Sequence, residues 1–370
     1  MSNVVALAQL GGPAFVESVR RIWDRGDVVA PIDPDAPPAN RASLLAAIAP
    51  GAIIEPDGTE RLLAGGRPTA DGDALVICTS GTSGSPKAAV LTHDALEAAA
   101  FASATALGVD VDVRWLACLP LHHIGGFGVV ARALITGSEL VVHPGFDATA
   151  VADAAAEGAT HTSLVPTTLG RIDPSAFRVI LVGGSNVPAD RPANCIATYG
   201  MTETCGGVVY DGLALPEVAM RIAADGQVQL RSPTLLRCYR DGTVPFGPDG
   251  WYSTGDLGSI DRTTGRLHVE GRLDDVIITG GEKVWPAHVE RILLDDPRVG
   301  EVAVVGRPDP EWGQAVVALV VPADPATPPP LEDLRWLVRE LLPAYAAPRA
   351  VELVESIPRT SLGKIRRRAL

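Results

Sequence analysis

An alternation constrains this chain more than any other feature. From about residue 73 onward, short apolar runs of strand type are separated by helical stretches. ALVICT gives way to a loop of small residues and then to the helical run DALEAAAFASATALG. RWLACLPLHH reads as a strand entering a loop, GVVARALITG as a helix and ELVVH as a strand. VADAAAEG, HTSLVP and FRVILVGGS continue the pattern. Strands spaced by helices predict a mostly parallel α/β sheet with ligand loops at the strand C-termini.

Either side of this block the texture differs. Residues 13–25 place Phe15, Val19, Ile22 and Trp23 at helical spacing, and Gly26 ends the run. A polar, proline-rich stretch, APIDPDAPPAN, follows. Between about 215 and 272 the chain turns β-rich, with VAMRIA, GQVQLRSPTL, GWYSTG and GRLHVEG separated by glycine turns. DDVIITGGEKVWPAHVERILLDD predicts a strand, a Gly-Gly turn and a helix. VGEVAVVGRPD and GQAVVALVVPA read as strands, and 331–341 as a helix with Leu331, Leu334, Val338 and Leu341 on one face. The stretch PADPATPPP between them is an exposed loop. A boundary near 273 then separates a large N-terminal domain, 1–273, from a small α+β domain, 274–370.

Composition narrows the classes of partner. With 46 % hydrophobic residues the chain has enough apolar material for a core, which excludes wholesale disorder. A net charge of −13 repels nucleic acid and anionic membranes at long range, so an anionic ligand must be met by local donors and cations. Five scattered cysteines without a C-x-x-C pair fit a reducing compartment rather than a disulfide framework. The start lacks the basic region and cleavage site of a signal peptide, and no window offers about eighteen uncharged apolar residues. A cytoplasmic protein without stable membrane association is expected.

Six segments carry chemistry. Thr79-Ser80-Gly81-Thr82-Ser83-Gly84-Ser85-Pro86-Lys87 is a hydroxyl- and glycine-rich loop ending in lysine, suited to phosphate oxygens. It does not fit a Walker A pattern, and a plain surface loop is an equal reading of it alone. His122 and His123 follow Leu119-Pro120-Leu121; adjacent and without a third ligand, they favour a structural role over a metal site. Thr198 to Thr204 (TYGMTET) brings an aromatic, hydroxyls and a carboxylate together, or makes a capped turn. Ser253-Thr254-Gly255-Asp256, with Gly271-Arg272-Leu273-Asp274-Asp275, offers a carboxylate for ribose hydroxyls or simply two turns and an ion pair. Gly280-Gly281-Glu282-Lys283 is the fifth segment. The sixth is Pro358-Arg359-Thr360-Ser361-Leu362-Gly363-Lys364 with a basic run behind it.

In this order and spacing the six resemble the adenylate-forming superfamily of acyl-CoA synthetases, adenylation domains and luciferases, from about residue 73 to the end. HTSLVPTTLGR, ILVGGSNVP and YGMTETCGGVVYDGLAL are similar to its o-succinylbenzoate–CoA ligase branch, which serves menaquinone synthesis. The region before the phosphate loop is shorter than is usual there, so part of the first subdomain is expected to be reduced.

The resemblance implies an α/β fold with a β-rich subdomain and a small, mobile C-terminal domain. It implies an ATP-dependent acid–CoA ligase that makes an acyl-adenylate and then a thioester, with ATP, CoA and a small carboxylic acid as partners and Mg²⁺ as cofactor. Thr79, Ser80, Gly81, Thr82, Ser83, Gly84 and Lys87 would hold phosphates, with Glu203 on Mg²⁺. Thr202 would contact the α-phosphate, Tyr199 would stack on adenine, Gly200 would belong to the same ATP site, and Asp256 and Arg272 would hold ribose. Lys364 would stabilise the charge that develops as a carboxylate attacks the α-phosphate. Asp274 would be the hinge, with Gly280 and Gly281 on the pantetheine path. His123, with Lys364, Thr202 and Glu203 one of the implied catalytic residues, would stand at the mouth of an acyl pocket lined by Ser163, Pro166, Thr167, Gly183, Gly184, Gly206 and Gly207, gating the tunnel or else orienting the carboxylate. Family habit allows a homodimer. Another acid, or a carrier protein in place of CoA, are the competing readings.

Overall fold

The computed structural model describes residues 2–79, 86–108, 112–184, 187, 190–359 and 365–370. They form two compact units, Met1–Met220 with Leu230–Tyr252, and Arg221–Gln229 with Ser253–Leu370. The mixed α/β architecture is the one expected. The expected boundary near 273 falls inside the second unit, at the 3₁₀ turn Leu273–Asp275.

The first six strands are β1 (Val4–Leu7), β2 (Val28–Pro31), β3 (Ala52–Ile54), β4 (Glu60–Leu62), β5 (Asp73–Thr79) and β6 (Lys87–Thr92). Next come β7 (Arg114–Ala117), β8 (Glu139–Val142), β9 (His161–Leu164), β10 (Val179–Val182), β11 (Cys195–Met201), β12 (Gly206–Tyr210) and β13 (Leu213–Ala214). Then follow β14 (Ala219–Ile222), β15 (Gln227–Arg231), β16 (Cys238–Tyr239), β17 (Tyr252–Ile260) and β18 (Leu267–Arg272). The last are β19 (Ile277–Thr279), β20 (Glu282–Val284), β21 (Val299–Asp309), β22 (Gly313–Pro322) and β23 (Ala350–Leu353). The α-helices are α1 (Pro13–Asp24), α2 (Pro38–Ile48), α3 (His93–Leu107), α4 (Ile124–Thr136), α5 (Ala148–Ala156), α6 (Pro166–Leu169), α7 (Pro286–Leu293) and α8 (Leu331–Leu341).

The first unit holds two seven-stranded sheets. One has the order β16-β6-β5-β2-β1-β3-β4, the other β13-β12-β11-β10-β9-β7-β8. In the second sheet β7 to β11 pair in parallel, as the βαβ pattern requires, and β12 and β13 add antiparallel strands. The stretch read as polar and proline-rich needs correction at both ends. Val28–Pro31 is a buried strand, and Pro38–Ile48 is a helix. Residues before 73 supply four of the strands of the first sheet. The runs VVAL and VVAP are buried on both faces, so they lack the alternation that marks a half-exposed strand.

Helix α1 forms because Pro13 presets its first turn and Phe15, Val19 and Ile22 share one buried face. They join a core with Leu75, Leu91 and Phe127, and the Phe15 and Phe127 rings meet edge to face at 6.3 Å. Thr92 caps α3 by accepting from Ala95 N at 3.1 Å.

The second unit has a core of its own. A sheet of order β20-β19-β22-β21, with β23 on β22, packs Val302, Val304, Val316, Ala318 and Val320 against α7 and α8. Leu334 and Val338 supply the buried face of α8, but Leu341, expected on the same face, is 65 % exposed. A four-stranded sheet, β14-β15-β17-β18, carries the β-rich stretch.

Candidate active site

In the first unit the β5–β6 hairpin brackets the phosphate-loop motif. Thr79 and Lys87 are register partners at its mouth, and the Thr79 hydroxyl donates to the Lys87 carbonyl at 3.4 Å. Ser80, Gly81, Thr82, Ser83 and Gly84 lie outside the described residues. The Lys87 ammonium stands over the Tyr239 ring, 5.4 Å from its centre. The Tyr239 hydroxyl in turn donates to Glu203 Oε1 at 2.8 Å. One aromatic side chain thus joins the motif lysine to the motif carboxylate.

Glu203 owes its position to a tight turn. Thr202–Thr204 is a 3₁₀ helix following β11, and Cys205 closes it with φ 56°. The buried Thr204 hydroxyl accepts from Met201 N at 2.9 Å and lies 2.6 Å from the Gly206 carbonyl. Glu203 is only 9 % exposed. Burying a carboxylate is costly without a donor, and Tyr239 supplies one. Burial and the Glu203 charge push the Tyr239 hydroxyl well above the usual tyrosine range, so it stays protonated and able to donate.

Tyr239 escaped the sequence reading. It lies in LLRCYRDG, where arginines flank Cys-Tyr on both sides and the Asp-Gly turn is the one local signal. Its two neighbours anchor it. Arg237 makes two hydrogen bonds to Asp73, at 2.7 and 2.8 Å, and that carboxylate is fully buried. Arg240 donates to the carbonyls of Ile48, Ala49, Arg67 and Pro68.

The C-terminal ends of the parallel strands carry most of the remaining candidates. After β7 come His122 and His123, with ring centres 4.4 Å apart. Burial depresses the His122 pKa, and the Asp33 carboxylate only partly opposes it. His123 immediately precedes α4. Ser163 is in β9, and Pro166 and Thr167 open α6 just beyond it. Gly183 and Gly184 follow β10. Tyr199 and Gly200 end β11, Thr202 begins the turn, and Gly206 and Gly207 begin β12.

Two of the glycines have a packing reason to be there. A Cβ at Gly183 would stand 2.4 Å from Thr198 Oγ1, and one at Gly200 would stand 1.9 Å from the Gly206 carbonyl oxygen. The β11–β12 ladder also shifts register between Tyr199 and Gly200.

The second unit holds the other candidates. Asp256 and Arg272 face each other across β17 and β18, and Arg272 Nη1 donates to Asp256 Oδ1 at 2.9 Å and to the Thr254 carbonyl at 3.0 Å. Burial disfavours the guanidinium charge, but Asp256, with Asp274 and Asp275 behind it, outweighs burial and raises the Arg272 pKa. Asp274 is exposed in the 3₁₀ turn beyond β18. Gly280 and Gly281 make the β19–β20 turn, and a Cβ at Gly280 would lie 2.6 Å from the Trp312 ring. Lys364 lies outside the described residues. Behind it in sequence, the Arg367 guanidinium binds Glu290, the Val304 carbonyl and Asp275.

Among the described residues no group of three or more His, Cys, Asp or Glu side chains could hold a metal ion by itself, and no helix is long and apolar enough to cross a membrane. What the first unit offers is a lysine and a buried carboxylate tied together beside a phosphate-type loop. The chain belongs to the AMP-binding enzyme family, the adenylate-forming enzymes: residues 62–233 match that family and 288–364 match its C-terminal domain.

Within the family it is similar to named ligases. A Mycobacterium tuberculosis protein named probable 2-succinylbenzoate–CoA ligase is 40 % identical, over 87 % of this chain and 90 % of that protein. The 2-succinylbenzoate–CoA ligase of Bacillus cytotoxicus is 34 % identical over 80 % of this chain and 69 % of its own length. An indoleacetate–CoA ligase of Aromatoleum aromaticum is 36 % identical over 79 % and 66 %. Among solved structures, o-succinylbenzoate CoA synthetase from Bacillus subtilis with its acyl-adenylate intermediate superposes with a TM-score of 0.88 at 26 % identity, over 99 % of this chain and 87 % of that one.

Proposed function

We propose that this protein is an AMP-forming acid–CoA ligase that activates 2-succinylbenzoate as the acyl-adenylate and passes the acyl group to CoA. The observation that carries the reading is the array Lys87–Tyr239–Glu203 in a chain 40 % identical to a ligase named for that acid. Thr79, Lys87 and the loop 80–84 bind the β- and γ-phosphates, where glycines admit phosphate close to backbone N–H groups. Thr202 meets the α-phosphate, Tyr199 and Gly200 the adenine, and Asp256 with Arg272 the ribose.

The donor set fits magnesium carried in on a nucleotide. One hard carboxylate oxygen from Glu203 suffices when phosphates supply the rest, and a related synthetase from Bacillus subtilis was solved with ATP and magnesium ion. The ion supplies charge neutralisation for the phosphates. Lys364 holds the substrate carboxylate and the α-phosphate together during adenylation, and the segment from Asp274 is the hinge that retires it. Residues 274–370 move as the small domain, and Gly280 and Gly281 then line the pantetheine path. His123, Ser163, Pro166, Thr167, Gly183, Gly184, Gly206 and Gly207 line the acyl pocket.

Purified protein incubated with ATP, Mg²⁺, CoA and 2-succinylbenzoate should yield the CoA thioester and AMP by mass, and benzoate should react far more slowly. The similarity to an indoleacetate–CoA ligase favours a second reading, an aryl-acid ligase. Turnover with indoleacetate and none with 2-succinylbenzoate would select it.

A further inference from the structure

We propose that Tyr239 is a positioning residue for magnesium-dependent nucleotide binding: it fixes one oxygen of Glu203, leaves the other for the ion, and sets the distance to Lys87. The proposal rests on the assignment of Glu203 as the magnesium ligand.

The geometry is that of an outer partner to a metal ligand. Tyr239 is buried, its hydroxyl donates to Glu203 Oε1 at 2.8 Å, and its ring face carries the Lys87 ammonium at 5.4 Å. A carboxylate with one oxygen engaged cannot swing freely, so its other oxygen keeps one direction. The ring does a second task. Lys87 and Glu203 have opposite charges, and a direct ion pair between them would neutralise both groups needed for phosphate and metal. The tyrosine ring stands against the lysine while its hydroxyl occupies the carboxylate, so both keep a contact without pairing with each other.

The residue can hold this register because its strand cannot shift. Tyr239 pairs with Ala89 across the β16–β6 ladder, two positions from Lys87. Arg237 is locked on buried Asp73 and Arg240 on four carbonyls, one on either side. Slippage by one residue would turn the ring to the other face of the sheet.

The test is Mn²⁺ binding followed by electron paramagnetic resonance, with a non-hydrolysable ATP analogue present and Mn²⁺ standing in for Mg²⁺. Tyr239→Phe keeps the ring and removes the hydroxyl. It should raise the half-saturating Mn²⁺ concentration by about 10-fold, as expected for loss of an outer partner, and leave the affinity for metal-free analogue within about 2-fold. Tyr239→Leu removes both contacts and should weaken metal-free analogue binding as well, through Lys87. A melting curve for each variant reports folding separately. If Glu203→Gln raises the Mn²⁺ requirement while Tyr239→Phe leaves it at the wild-type value, the positioning role is overturned and the Glu203 assignment stands. If Glu203→Gln itself changes nothing, both fall.

Discussion

Side-chain burial sets the chemistry of single residues here. Cys118, Cys195, Cys205 and Cys238 are buried. Burial pushes the Cys78 thiol up to about 12 and Cys118 to about 11, and raises the other three as well. A thiol reagent at neutral pH should therefore label the native protein very slowly and all five cysteines in denaturant. His122 and His288 are depressed by burial, against smaller opposing carboxylates. Each is more readily protonated in the unfolded chain, near pH 6.5, so folded stability is retained above that value and falls as the pH drops through the window below it. Melting temperature should decline between about pH 7 and 5.5, and less steeply in a His122→Gln, His288→Gln variant. At Gly200 a methyl group would strike the Gly206 carbonyl oxygen. Gly200→Ala should cost about 2 kcal/mol by urea titration.

Elements differ in how far they could be read in advance. The β21–β22 hairpin follows two long apolar-rich runs and helix α8 follows a helical spacing, and all three elements lie where those runs place them. Strands β1 and β2 give no such signal, because runs of only four buried apolar residues are too short to show a period. The site shows the same divide. Lys87, Glu203, Asp256 and Arg272 stand in motifs, so their types and spacing could be read. Tyr239 stands in a two-residue strand whose meaning depends on β6 lying beside it, a non-local pairing that no local pattern encodes. Near the C-terminus, Arg367 ties the last residues to α7 through Glu290 and to β21 through the Val304 carbonyl. The side chains of Arg367 and Glu290 are 18 % and 10 % exposed. Arg367→Met would leave the carboxylate buried without its cation and should cost roughly 3 kcal/mol.

The molecule as a whole is two units with separate cores. Calorimetry should resolve two transitions, and Arg367→Met should lower only the one belonging to the C-terminal unit. The proposed hinge makes a kinetic statement at the same scale. Lys364→Ala should abolish adenylate formation yet leave thioester formation from pre-made acyl-adenylate largely intact; equal loss of both would overturn domain alternation.

The place of β16 at the edge of the first sheet has a consequence for synthesis on the ribosome. Strand β6 leaves the tunnel roughly 150 residues before Cys238 and Tyr239, the pair that covers it, as the register of Val90 and Ala89 shows. For that interval one flank of a nascent sheet is uncovered, with its backbone N–H and carbonyl groups open to other chains. Slow or stalled translation between residues 93 and 240 should therefore send more product into inclusion bodies than stalling after residue 252, and the link between Lys87 and Glu203 forms only when that late strand arrives.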